Sequence, residues 1–286
     1  MLHMTLTEIR NLTWKGSREK PLILDAFWPE GSEKLPVVLF AHGYKGFKDW
    51  GAWDLFGKKI AEAGFLFIKF NFSFNGGTLE QPMDFPDLEA FGNNNYSTEV
   101  GDISRMLDFI YQSNSLPRKR LDVSNTTLIG HSRGGGMAIL AAGLDDRINK
   151  LVTLAAISDL VRRQPTGPLL ERWKRNGVSH VMNKRTGQQM PHFYQMHEDY
   201  MENIHIFDIP LMAKKLSIPW LIVHGTSDEA VGFSEAEELR DFNPKAAFEV
   251  MEGVNHVFGA KHPWTENELP EDLNKVLTRV HGFLQE

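Results

Sequence analysis

Short apolar runs rich in β-branched and aromatic residues recur along the chain: "VVLFAHG" (37–43), "FLFIKFNF" (65–72), "TTLIG" (126–130), "LVTLAA" (151–156) and "WLIVHG" (220–225). Nearly unbroken apolar runs of this length predict strands covered on both faces, as in a parallel sheet. Between them the apolar positions shift to helical spacing. Trp53, Phe56, Ile60 and Ala63 form one stripe, and Val100, Ile103, Leu107, Ile110 and Tyr111 a second. Leu273, Val276, Leu277, Val280, Phe283 and Leu284 form a third, and each stripe needs a sheet to cover it. Ser234-Glu235-Ala236-Glu237 has the form of a capping box, so a helix is expected to begin near Ser234, followed by a strand in "AAFEVMEG" (246–253). The stretch up to about residue 28 is expected to pair as two antiparallel strands.

This alternation specifies an α/β fold class: a doubly wound, mostly parallel central sheet with right-handed crossovers. Residues 1–286 are expected to form one domain, because 286 residues with 42% hydrophobic content can bury a single large core. One segment breaks the rhythm. Residues from about 158 to 207 are too many for a strand-to-helix connection, and predict a small cap over the carboxyl edge of the sheet, where such sheets bind ligands.

Chemistry enters at "GHSRGGG" (130–136). Gly130-His131-Ser132-Arg133-Gly134 matches G-x-S-x-G between a predicted strand and a small-residue helix, the context in which the motif presents a serine hydroxyl on a strained turn. Glycines are expected on either side because a Cβ there would strike neighbouring backbone. A phosphate cradle is the competing reading, but neither the Walker pattern nor G-x-G-x-x-G occurs. A serine hydroxyl needs a base to take its proton and an acid to orient that base. Asp228 follows "WLIVHG" and His256 follows the last predicted strand, so Ser132, Asp228 and His256 stand in the order Ser, acid, His at three predicted strand ends. Asp159 and Glu229 are the rival acids. The backbone N–H groups of Arg133 and of Tyr44, in "HGYKG" (42–46), are expected to hold an oxyanion. His42, His131 and His224 are expected to bond loops rather than act as bases. Phe193, Tyr194 and Met196 of the cap, with Phe74, are candidates to line an apolar acyl site, and the acidic loop 75–98 is expected to border it.

On "AHGYKGFKDW", "GHSRGGG", "HGTSDEAV" and "GVNHVFG", the chain from about residue 20 onward resembles the α/β-hydrolase superfamily. Within it, the chain is similar to dienelactone hydrolase-like proteins and the cinnamoyl (feruloyl) esterases. The resemblance implies a serine hydrolase with a small cap insertion; dienelactone hydrolases proper use a cysteine nucleophile where this chain has Ser132, which favours a carboxylesterase. No metal or organic cofactor is implied. A serine peptidase, a thioesterase and a non-catalytic binding protein on the same fold are the alternatives.

Charge refines the substrate and partner readings. A formal net charge of −6 argues against nucleic acid as a partner. No cysteine is present, which excludes disulfides and cysteine-ligated metals and fits a reducing compartment. Without a basic-then-apolar leader or a membrane-length apolar run, a soluble cytoplasmic protein acting on a small-molecule ester is expected, its oligomeric state open. Within 162–185, Arg162, Arg163, Arg172, Lys174, Arg175, Lys184 and Arg185 face only Glu171. Either this is a solvated helix face or it guides anionic esters; in the second case, Gln at positions 172, 174 and 175 raises KM for anionic substrates alone.

Overall fold

The computed structural model describes residues 5–286; residues 1–4, the start of the expected antiparallel pair, lie outside the described residues. β1 (Leu6–Lys15) and β2 (Pro21–Pro29) do pair antiparallel. The alternating segments then follow as β3 (Leu35–Ala41), α1 (Trp53–Glu62), β4 (Leu66–Asn71), α2 (Leu88–Gly92), α3 (Tyr96–Gln112), β5 (Leu121–His131), α4 (Arg133–Leu144) and β6 (Lys150–Leu154). The cap contributes α5 (Gly167–Asn176), the antiparallel hairpin β7 (Val178–Met182) and β8 (Gln189–Phe193), and α6 (Gln195–Glu202). α7 (Ile209–Lys215), β9 (Trp220–Gly225), α8 (Phe233–Phe242), β10 (Ala247–Met251) and α9 (Glu271–Gln285) complete the chain.

One sheet runs in the order β1-β2-β4-β3-β5-β6-β9-β10, parallel from β4 to β10. Alternate strand residues feed two cores. Val37, Leu39 and Ala41 of β3 join the helical faces of α3, α4 and α7, whereas Val38 and Phe40 meet α1 and α9. β4 and β5 flank β3, so the chain reverses its direction of travel across the sheet there. A crevice at the carboxyl ends of β3 and β5 follows from that reversal.

β4 carries an exception to apolar patterning. Lys69 is fully buried, and with Lys48 and Arg10 it binds the carboxylates of Asp25, Asp49 and Asp54. Lys48 Nζ lies 2.8 Å from Asp25 and 2.6 Å from Asp49, and Lys69 Nζ lies 2.7 Å from Asp54. The three carboxylates are close enough together to suggest a metal site, but three cations already neutralise them. The expected capping box is not made: the N-cap is Gly232, Ser234 is exposed in the first turn, and no side chain caps the helix. Glu235 instead reaches the cap, accepting from the Ser158 N–H at 2.9 Å and pairing with Arg163 at 2.6 Å. Among the described residues no helix is long and apolar enough to cross a membrane.

Candidate active site

Ser132 sits between β5 and α4 with φ 56° and ψ −123°, a left-handed conformation that a serine adopts only when its surroundings enforce it. The glycines around it do so by proximity. A Cβ on Gly130 would lie 2.4 Å from the Gly134 carbonyl oxygen, and one on Gly135 would lie 2.5 Å from Ala156 Cβ. Gly43 approaches equally closely: its Cβ would lie 2.8 Å from Ser132 Cβ. The loop after β3 therefore rests against Ser132 and places Tyr44 beside it. Among the described residues the N–H groups of Tyr44 and Arg133 have no hydrogen-bond acceptor, so both are free to serve an oxyanion.

His256 Nδ1 lies 2.7 Å from Asp228 Oδ2. A carboxylate only accepts, so the imidazole proton is on Nδ1 and Nε2 is left as the basic atom. Asp228 Oδ1 accepts from the N–H groups of Ala230 and Val231, both at 2.8 Å. Burial alone would raise the pKa of Asp228, but hydrogen bonds from His224 and His256 hold it well below the usual carboxylate range. The rival acids lie elsewhere: Asp159 is engaged by the Arg162 side chain at 2.5 Å, and Glu229 is exposed.

The three other histidines all make backbone contacts. His42 Nδ1–H donates to the Gly43 carbonyl at 2.9 Å, and His224 Nε2–H to the Val231 carbonyl at 2.9 Å, with Asp228 Oδ2 at 3.2 Å. His131 Nε2–H donates to the His256 carbonyl at 3.0 Å, and its ring packs on that of His256 at 4.8 Å.

A cavity of about 560 Å³ opens between the carboxyl edge of the sheet and the cap, with Ser132 and His256 on its wall. Both residues line this space, but among the described residues Ser132 Oγ makes no hydrogen bond, to His256 Nε2 or to any other group. Of the four side chains expected to line it, only Met196 does. Phe74 is buried under the Arg18 guanidinium at 4.0 Å, the Phe193 ring packs on Gly92, and Tyr194 stands edge-on to Trp173. Besides His256, the lining aromatics are instead Tyr44, Tyr96, Trp173 and His192. Tyr44 Oη and His192 Nε2 are 2.6 Å apart, and Trp173 Nε1–H donates to the His192 carbonyl at 2.7 Å. Of residues 75–98 only Tyr96, the first residue of α3, lines the cavity, so the loop itself does not border it as expected. A smaller cavity of about 220 Å³, with Trp50, Asn183 and Arg185 on its wall, meets the first at Ser132.

The basic run of the cap does not form one surface over the site. Arg172, Lys174 and Arg175 are exposed on α5 and line neither cavity. Arg163 and Arg185 do reach the cavities, but they pair with Glu235 and Asp84.

A family model described as the alpha/beta hydrolase fold matches residues 36–217. Among curated proteins no sequence match is found. Similar solved structures include Est1E from Butyrivibrio proteoclasticus with ferulic acid bound, at 17% identity and a TM-score of 0.70 over 96% of this chain and 98% of that one. An acetyl xylan esterase from Paenibacillus sp. R4 aligns at 19% identity and a TM-score of 0.63, covering 99% and 89% of the two chains. A putative dienelactone hydrolase from Klebsiella pneumoniae aligns at 14% identity and 0.62, covering 99% of each.

Proposed function

From the premise that the chain belongs to the α/β hydrolase fold family, we propose that it is a serine carboxylesterase working through Ser132, His256 and Asp228. The observation that carries this reading is the 2.7 Å His256–Asp228 hydrogen bond, made beside a serine held at positive φ on the same cavity wall. His256 Nε2 takes the Ser132 proton as Oγ attacks the ester carbonyl. The resulting oxyanion accepts from the Tyr44 and Arg133 N–H groups. His256 then protonates the departing alkoxide, leaving an acyl-Ser132; water, deprotonated by the same imidazole, releases the acid. No step needs a metal or organic cofactor.

A cavity with four aromatic rings besides that of His256 suits a compact acyl or alcohol group such as a hydroxycinnamate, the class seen with Est1E. The absence of cysteine supports a cytoplasmic location, which cell fractionation tests. The function itself is tested with p-nitrophenyl esters from acetate to octanoate and with methyl ferulate. Ser132→Ala is expected to lower kcat by roughly 10³-fold or more, and Asp228→Asn by a comparable order. Turnover surviving in Ser132→Ala overturns the nucleophile, and a wild type inert to every ester overturns the esterase reading.

A further inference from the structure

Four cationic side chains line the two cavities: Lys45, Arg133, Arg163 and Arg185. Three are neutralised. Arg133 pairs with buried Glu99, Arg163 with Glu235, and Arg185 with Asp84. Lys45 has no carboxylate within salt-bridge distance among the described residues; its ammonium lies 5.2 Å from the centre of the Tyr44 ring. Its position matters as much as its charge. Tyr44, Lys45, Ser132 and His256 are the residues common to both cavities, so Lys45 stands at their junction beside the reacting serine.

The backbone places it there against its own preference. The Gly46 N–H donates to the Gly43 carbonyl at 3.0 Å, closing a turn in which Lys45 is the third residue with φ +54°. Glycine adopts that conformation freely and lysine does not. Burial, and then the charge of Lys184, lower the pKa of the Lys45 ammonium. The opposite charge of a bound anion would offset both effects.

Resting on the esterase reading of Ser132, we propose that the preferred substrates carry a carboxylate close to the scissile ester and that Lys45 receives it. A hydrogen bond between an ammonium and a carboxylate is worth about tenfold to a hundredfold in kcat/KM. The exposed Arg172, Lys174 and Arg175 take no part.

The test compares esters with neutral isosteres on the full chain by pH-stat titration. Monomethyl glutarate against methyl 5-methylhexanoate puts the carboxylate on the acyl side, and butyryloxyacetate against isobutyl butyrate puts it on the alcohol side. The wild type is expected to favour at least one anionic ester by about tenfold or more, and Lys45→Met to lower that selectivity by a similar factor. Lys45→Arg should retain most of it, and Gln at 172, 174 and 175 should leave it within about twofold. In the wild type alone, the same selectivity should fall as salt rises from low to molar concentration, a readout that survives even if Lys45→Met fails to fold. A wild type with no anionic preference, or a preference unmoved by both Lys45→Met and salt, overturns the proposal. Loss of equal size on both members of a pair leaves the ratio unmoved and counts against it. If neutral esters are still hydrolysed and Ser132→Ala is dead, the esterase reading stands without Lys45; if no ester is hydrolysed, both fall.

Discussion

At the scale of single residues, space between backbones decides more than chemical type. A Cβ on Gly134 would lie 2.3 Å from the His42 carbonyl oxygen and 2.6 Å from that of Ala41. Both are main-chain atoms that no rotamer change can move aside. Gly134→Ala is therefore expected to destabilise the protein by about 1–3 kcal/mol, measured by urea unfolding, and to reduce turnover by shifting α4 away from β3. Gly282 is the opposite case. It is exposed in α9 with nothing near its absent Cβ, so Gly282→Ala should stabilise by about 0.5–1 kcal/mol without touching activity. An equal response of the two variants would show that close approach is not what requires glycine at the serine turn.

At the scale of elements, the strands of the sheet were legible and the elements inside the cap segment were not, and the reason is burial. Strands covered on both faces must be apolar throughout, so β3, β4, β6 and β9 appear as runs that match the observed spans to within a few residues. Residues 158–207 form small elements with much exposed surface, and "GQQMPHFYQM" gives no alternation from which to read β8. Parity then decided the lining. His192 faces the cavity, so its neighbour Phe193 turns away toward Gly92, and a one-residue error in facing selects the wrong aromatic. At Ser132, Asp228 and His256, by contrast, loops leave the ends of legible strands, so their positions after β5, β9 and β10 could be read directly. Buried Lys69 within an apolar run, with acids at 25, 49 and 54, was the unused signal for the ionic cluster. The cap has its own keystone. Trp173 is the buried side chain of α5 and ties it to β8 through the His192 carbonyl. Trp173→Ala is expected to raise KM for all esters and to expose α5 to trypsin at Arg172, Lys174 and Arg175 before the rest of the chain is cut; unchanged protection would show that other contacts hold the cap.

At the scale of the whole molecule, buried imidazoles set the response to acid. Burial pushes His42 and His192 down to about 4, and burial with the neighbouring His256 pushes His131 to about 3. An unfolded histidine takes up its proton near pH 6.5. Between about pH 6.5 and pH 4 the unfolded chain therefore binds more protons than the folded one, and stability falls with falling pH by up to about 1.4 kcal/mol per pH unit for each histidine. Asp102, whose pKa burial raises, opposes this in acid. Asp25 is held near 2; burial alone would raise it, but Lys69 and Lys48 outweigh that, so its contribution is kept until the pH falls below about 4. Urea unfolding between pH 7.5 and pH 4.5 should show the steepest decline below pH 6.5, and a flat profile would mean that these histidines protonate in the folded state. The meeting of two cavities at one serine has a kinetic corollary. On the proposed esterase reading, the acyl group would occupy one side after the alcohol departs, while the other stands open beside the ester bond. An added alcohol can settle there and intercept the acyl group ahead of water, so the molecule should act as a transferase in alcohol-rich medium, with new ester formed at the expense of free acid.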